Sequence, residues 1–383
     1  MKIVRLELHN WKNFPAAQVD IGQRMFVIGP NAVGKSNLLD ALLFLRDVAR
    51  SGGGLQEAIR RRGGLSKIRS LAARRNPVVE IKVTLVGDNN TEWTYAIGIK
   101  QQNAGRPLPI LAHEKVTRGD ETLVNRPDSS DLEDEDRLIQ TFLEQINANH
   151  AFREIARFLA SIRYLHLVPQ LVRNPSAYRG PAQTSSQSED VHGLSFLDAL
   201  AHTTKKTREA RLRAIGKALS SAVPQLKEFT FTTDASGVPH LQAIYEHWRA
   251  QGAKQQDDQF SDGTLRLLGL FWSLLDGDAP LLLEEPEISL DTKIVERLPA
   301  LFHQLQRKNK RQIFVTTHSR EMLEDKGIDP KEVIELIPHP EGTKVQSIAN
   351  DVQKLRLIQS GMSATDAVMA SRDSNPMQLQ LSL

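Results

Sequence analysis

The stretch Gly29–Ser36 reads GPNAVGKS, and what flanks it decides the fold. Before it, MFVIG over Met25–Gly29 is an apolar strand pattern; after it, SNLLDALLFLRDVA over Ser36–Ala49 places Leu38, Leu39, Leu42, Leu43 and Leu45 at helical spacing. A strand, a glycine loop and a helix in that order form a phosphate site, because the glycines let the chain wrap closely around an anion and the helix start offers backbone N–H groups to it. The expected nucleotide contacts are Gly29, Pro30, Asn31, Ala32, Val33, Gly34, Lys35, Ser36 and Asn37. Lys35 is expected to meet the outer phosphates and Ser36 to hold magnesium, so ATP and Mg2+ are the expected cofactors.

Two later stretches supply polar groups at strand ends. In APLLLEEPE, Ala279–Glu287, three leucines read as a buried strand whose C-terminal end carries Glu284 and Glu285, where an open parallel sheet places its ligands. Adjacent strand residues face opposite ways, so Glu284 is assigned to magnesium, directly or through water, and Glu285 to the attacking water. IFVTTHS, Ile313–Ser319, repeats the geometry and offers His318 to the terminal phosphate or the water. FSDGTLRLL, Phe260–Leu268, is an acidic, glycine-bearing turn running into apolar residues, with no lysine of its own.

The 383-residue chain is long enough for two to three units of ordinary size, and 40% hydrophobic with 25% charged residues places it in the globular class. Having no cysteine, it can form neither disulfides nor thiolate metal sites. The opening MKIVRLELHNW lacks the apolar core of a signal peptide and no run of eighteen apolar residues occurs, so the expectation is a cytoplasmic protein without membrane contact. The formal charge of +3 is too small to argue for nucleic acid, but its distribution is uneven. Arg50–Arg75 holds eight basic residues against Glu57 alone, and Gly63 and Gly64 are expected to interrupt the helix there and leave the cations on an exposed face. KKTREARLR, Lys205–Arg213, puts further cations on one helix, RKNKR, Arg307–Arg311, forms a third cluster, and DSSDLEDED, Asp128–Asp136, is acidic. Candidate nucleic-acid or partner contacts are Arg60, Arg61, Arg62, Lys67, Arg69, Lys205, Lys206 and Arg208. The competing expectation pairs Arg60–Arg62 with the acidic run.

Along the chain, the opening alternates as a strand should, with Val4, Leu6 and Leu8 on one side. VVEIKVTLV and EWTYAIGIK flank the turn GDNN as a hairpin, and a second pair is expected around Gly119 and Asp120. Helical spacing sets in from about Ser130, and strands alternating with helices return near the end, a parallel-sheet signal. The expected division is 1–128, an N-terminal part with the phosphate loop; 129–225, a helical insertion with a mobile loop at about 169–193; and 226–383, a C-terminal part.

GPNAVGKS, FSDGT, LLLEEPE, SLD and TTHS occur in the order and approximate spacing of ATP-binding cassette ATPase heads of the RecF/Rad50/SMC and OLD-nuclease type, and over almost its full length the chain most resembles the small bacterial ATPases of the AAA_21 kind. The resemblance implies an α/β fold, an ABC-type P-loop ATPase head with an N-terminal antiparallel β element, a mostly parallel core sheet and a helical insertion. It makes the five motifs Walker A, signature, Walker B, D-loop and H-loop, and Lys35, Glu285 and His318 the catalytic residues. LELHNWKNF resembles the usual opening and sets Lys12 near the nucleotide; Ser261 and Gly263 would contact ATP held by a second copy, with Asp291 in the D-loop. A homodimer with ATP between its heads is implied, controlling a separate nuclease or toxin or a process on double-stranded DNA in genome maintenance or phage defence. A stand-alone DNA repair ATPase and an ATP-binding scaffold with little turnover are the alternatives. The chain departs from the pattern in three places: Asp262 stands where transporters carry glycine, no acidic TOPRIM nuclease cluster follows His318, and no glutamine can be assigned to the Q-loop, Gln56 coming too early.

Overall fold

The strand that opens the chain, β1 (Lys2–Trp11), buries Ile3, Leu6, Leu8 and Trp11. Strict alternation would have put Ile3 opposite Leu6; a shift of register between Ile3 and Arg5 against β4 (Val79–Val86) inserts one residue and turns Ile3 to the core side. In this computed structural model, residues 1–73, 77–102, 108–173, 196–220, 223–246, 253–306 and 310–373 are described. Positions 174–193 of the loop expected at 169–193, and 307–309 of the third basic cluster, lie outside them.

By contacts the chain forms two units: Met1–Arg163 with Gln312–His318 and Asp329–Leu383, and Tyr164–Arg311 with Ser319–Ile328. These cut the chain differently from the linear division read in the sequence, since residues 129–163 join the first unit and the C-terminal part is shared between both.

The first unit contains an antiparallel sheet in the order β2 (Phe14–Asp20), β1, β4, β5 (Glu92–Gln101), β6 (Pro109–Arg118) and β7 (Glu121–Arg126). Both expected hairpins are present, β4 with β5 and β6 with β7. Its second set of strands runs β15 (Gly342–Ser347), β14 (Val333–His339), β3 (Arg24–Ile28) and β13 (Ile313–Thr317). β3 pairs in parallel with β13 and with β14, and is buried at every residue, as a strand covered on both faces must be. Helix α1 (Lys35–Ala49) follows β3, buries Leu38, Leu39, Leu42, Leu43 and Leu45, and packs against a later helix, Arg153–Ser161.

In the second unit β8 (Arg163–Leu165) lies beside β12 (Leu281–Glu284), and β9 (Leu226–Thr233), β10 (Pro239–Tyr245) and β11 (Ala253–Gln256) form a small antiparallel sheet. The helix Asp262–Leu275 is buried along most of its length. The result is a mixed α/β fold of antiparallel and parallel sheets with helices. No helix among the described residues is long and apolar enough to cross a membrane.

Candidate functional site

The phosphate loop leaves β3 at Gly29 and enters α1 at Lys35, with Gly34 as the N-cap residue. Gly34 is left-handed at φ 104°, and a Cβ there would run into the Asn13 side-chain amide, so only glycine closes the loop this tightly. Ala32 is also left-handed at φ 62°, a conformation that a residue with a Cβ adopts at some cost. As a glycine at the N-cap, Gly34 brings no capping side chain of its own to α1, and the start of a helix is a favourable place for an anion.

Asn13, in the turn between β1 and β2, braces the loop. Its Nδ2 donates to the Val33 carbonyl at 2.5 Å and to Thr343 Oγ1 at 2.7 Å, and its Oδ1 accepts from Asn37 Nδ2 at 2.8 Å. Thr343 Oγ1 donates to the same Val33 carbonyl at 2.7 Å, and Trp11 Nε1 donates to the Asn37 carbonyl at 2.8 Å. The loop is therefore held in shape by the protein's own side chains. Lys35 Nζ donates to the carbonyls of Gly29 and Pro30 at 3.1 and 3.2 Å, which seats the ammonium inside the loop. Thr317, the last residue of β13, is in register with Ile28 of β3, so His318 and Gly29 leave the parallel strands side by side.

A chain of charges lies beside the cradle. Lys12, held left-handed at φ 48°, places Nζ 2.6 Å from Asp40 on α1; Arg62 forks onto Asp40 at 2.6 Å and reaches Asp47 at 3.0 Å; Arg46 meets Asp47 at 2.8 Å. Burial alone would raise the Asp40 carboxyl, but the hydrogen bonds and charge of Arg62, with Lys12, outweigh it and hold Asp40 below the usual carboxylate range. Arg62, grouped in the sequence with exposed cations, has a side chain only 9% exposed and is not a surface contact. Arg60 and Arg61 do face solvent, both paired with Glu57 at 2.7 and 2.8 Å. None of the three meets the acidic run, whose Asp131 pairs instead with Arg126 and Arg137. A cavity of about 820 Å3 opens next to Lys12, Asn13 and Asn37; Lys67 and Arg69, expected on a surface face, line it with Ser66.

In the second unit, Leu281, Leu282 and Leu283 of β12 are buried and the strand ends at Glu284, whose carboxylate accepts a short hydrogen bond from the Tyr164 hydroxyl on β8. Glu285 follows in a left-handed conformation, φ 43°, rare for a residue with a side chain and costing of order 1 kcal/mol or more, strain of the kind found at functional sites. Ser261 caps the helix Asp262–Leu275, its Oγ accepting from Thr264 N at 3.2 Å. Gly263 sits against the SLD stretch: a Cβ there would come within 3.0 Å of the Ser289 carbonyl. Asp291 accepts from Lys293 N at 2.9 Å and caps the next helix. Asp262 is gripped by Arg173 at 2.6 Å and Gln170 at 2.9 Å.

The second basic cluster divides in the same way as the first. Lys205 and Lys206 are exposed, whereas Arg208 Nη1 donates to the carbonyls of Leu200, Ala201 and Thr203 and its guanidinium lies 3.9 Å from the Phe231 ring centroid, which makes it a structural clasp. Gln56 is likewise spoken for, donating to the carbonyls of Pro109 and Ile139. Sequence reasoning missed Asn13, Asp40, Tyr164, Gln170 and Arg173 as site residues. The signal for two of them was the stretch PQLVR, Pro169–Arg173, a glutamine and an arginine one helical turn apart shortly after the strand Arg163–Leu165.

A family model described as "AAA_21: AAA domain, putative AbiEii toxin, Type IV TA system" matches residues 24–324. No curated protein matches the chain. Among solved structures, an SMC head domain from Thermotoga maritima is similar at 14% identity and a TM-score of 0.50, over 91% of this chain and 99% of that one. An SMC head bound to the C-winged helix domain of ScpA is similar at 16% and 0.54, over 90% and 98%. An SMC head with an extended coiled coil from Pyrococcus furiosus, bound to the C-terminal domain of ScpA, is similar at 15% and 0.51, over 93% and 99%. At these identities the likeness is one of fold.

Proposed function

The chain belongs to the AAA_21 family, whose match spans residues 24–324, and from that premise we propose that it is an ATP-hydrolysing switch that closes as a head-to-head dimer with ATP shared between the two copies. The observation that carries this is the braced cradle: a glycine loop held by Asn13 and Thr343, leading straight into the start of α1, with Lys35 seated in it. Such a cradle suits a polyphosphate, and the cavity beside Lys12, Asn13 and Asn37 is the natural place for the nucleoside part.

Each residue then has a role. On ATP binding Lys35 exchanges two loop carbonyls for phosphate oxygens and offsets their charge. The Ser36 hydroxyl and the Glu284 carboxylate are hard oxygen donors of the kind Mg2+ takes, and the ion, when bound, neutralises phosphate charge. Tyr164 fixes the direction of the Glu284 carboxylate. Glu285, set apart from the strand by its left-handed backbone, orients and deprotonates the attacking water, and His318 reads the terminal phosphate from the end of β13. Ser261 and the amides near Gly263, at the start of a long helix, complete the phosphate's shell from a second copy. ATP charge is then shared by two surfaces that separate after hydrolysis, and one copy of each half per chain gives two sites with twofold symmetry.

What the switch controls is a separate effector, a nuclease or toxin, or an event on double-stranded DNA. The family description, with its putative toxin of a toxin–antitoxin system, accords with the effector. The test pairs two variants. Lys35→Ala loses ATP binding; Glu285→Gln binds ATP and accumulates as the closed dimer in light scattering. A Glu285→Gln protein that binds ATP and stays monomeric refutes the shared site, and a wild-type turnover no greater than that of Glu285→Gln refutes the ATPase.

A further inference from the structure

The signature turn departs from the transporter pattern at Asp262, which puts a carboxylate where glycine is usual. As the first residue of the helix Asp262–Leu275, it is well placed for the helix dipole. Yet on the shared-site reading it also stands where the turn must approach a terminal phosphate, and like charges at such range oppose each other. The fold answers that charge with two residues of the short helix Pro169–Arg173, which packs on the helix Asp262–Leu275. Arg173 Nη1 lies 2.6 Å from one Asp262 oxygen, and Gln170 Nε2 donates to the other at 2.9 Å. Arg173 Nη2 donates to the Phe260 carbonyl at 2.5 Å, so one guanidinium spans the turn on either side of Ser261. The grip is seated by close packing, since Gly269 in the middle of the long helix lets the Leu167 side chain lie directly on its backbone.

We propose that Arg173 and Gln170 are positioning residues of the signature turn: they draw the Asp262 carboxylate aside and cancel its charge, so that Ser261 and Gly263 can meet the terminal phosphate of ATP held by a second copy. This rests on the shared-site reading. It gives Asp262 a meaning as well. A glycine would make the turn competent at all times, whereas aspartate makes it competent only while the helix Pro169–Arg173 is docked.

The experiment uses the Glu285→Gln protein as parent and measures, by light scattering, the protein concentration at half closure with saturating ATP. Adding Arg173→Gln raises that concentration tenfold or more, while titration of a fluorescent ATP analogue gives the parent's affinity in the monomer. Adding Asp262→Asn to the Arg173→Gln protein restores closure to within threefold of the parent, because the charge that needed cancelling is gone. A purely structural role for Arg173, holding Phe260, gives no such rescue, and absence of rescue in a parent that closes overturns this proposal alone. Closure of the Arg173→Gln protein at the parent's concentration overturns it too. A parent that stays monomeric brings down the shared site and this proposal together. Should Arg173→Gln melt early, Arg173→Lys keeps the cation without the fork; it closes within threefold of the parent if charge is what matters, and a tenfold loss there refutes the argument.

Discussion

Arg62→Gln is the substitution that most directly separates the buried charges from the exposed ones. Arg62 forks onto Asp40, reaches Asp47 and donates to the Ala58 carbonyl, with its own side chain 9% exposed and those of Asp40 and Asp47 at 18% and 7%. Removing one partner of a buried ion pair costs about 3–5 kcal/mol, because a charge is left without compensation. Here both carboxylates keep a second cation, Lys12 at 2.6 Å and Arg46 at 2.8 Å, so the loss is smaller. An estimate of about 2–3 kcal/mol follows. At roughly 2–4 °C per kcal/mol for units of this size, the melting midpoint falls by roughly 4–12 °C. The joint substitution Arg60→Gln and Arg61→Gln removes only exposed pairs with Glu57 and shifts the midpoint by no more than about 2 °C. Melts of the two proteins at one scan rate decide it: an Arg62→Gln midpoint equal to that of the double variant refutes the buried network. The pH dependence supplies a second reading. Asp40 is held below its ordinary value, so its charged form adds stability above the carboxyl's unfolded pKa, and that stability is lost as pH falls through the folded value. Arg62→Gln removes the main force opposing burial there, so its deficit against wild type is widest near neutrality and narrows in acid.

Asn13→Ala takes away three hydrogen bonds of the phosphate loop, and with about 1 kcal/mol for each bond not remade, ATP affinity falls at least tenfold in a fluorescent-nucleotide titration; an unchanged affinity means that the brace is idle. Tyr164→Phe leaves Glu284 without a charge-assisted bond worth about 1.5–3 kcal/mol, so kcat drops roughly tenfold while KM for ATP moves less than twofold; a change confined to KM argues that Glu284 acts in binding alone. If DNA is bound through the exposed cations, Arg60→Gln with Arg61→Gln lowers the slope of log affinity against log salt by about 2, and an identical slope clears this helix of DNA contact.

The phosphate loop was legible because its determinants are contiguous: a fully buried strand, glycines whose backbone no other residue reproduces, and a helix that starts at once. The end of the strand at Glu284 was legible for a similar reason, three leucines fixing where it must stop. What escaped was set by register and by distant partners. The bulge after Ile3 brings Ile3 to the same face as Leu6 and Leu8, and nothing in the alternation announces it. Asp262 gives no hint in the sequence that its partner is Arg173, because the two meet only after β8 and β12 have been brought together.

The basic run teaches a different lesson, since its misreading came from counting charges instead of following their phase. The helix Leu55–Arg61 buries Leu55, Ala58 and Ile59, a spacing of three and four that next falls on position 62. Arg62 therefore continues the buried stripe and turns back to the Ala58 carbonyl, while Arg60 and Arg61 fall on the far side, three and four residues from Glu57. The glycines that follow do not release cations from the helix. Gly64 N donates to the Ile59 carbonyl and both glycines are left-handed, the geometry of a helix stop that fixes Arg62 in place at the inner edge of the turn. Three identical residues in a row thus divide by helical phase into two surface cations and one that organises the wall beside the phosphate loop. Charge composition is blind to that division. The apolar pattern of the same seven residues contains it.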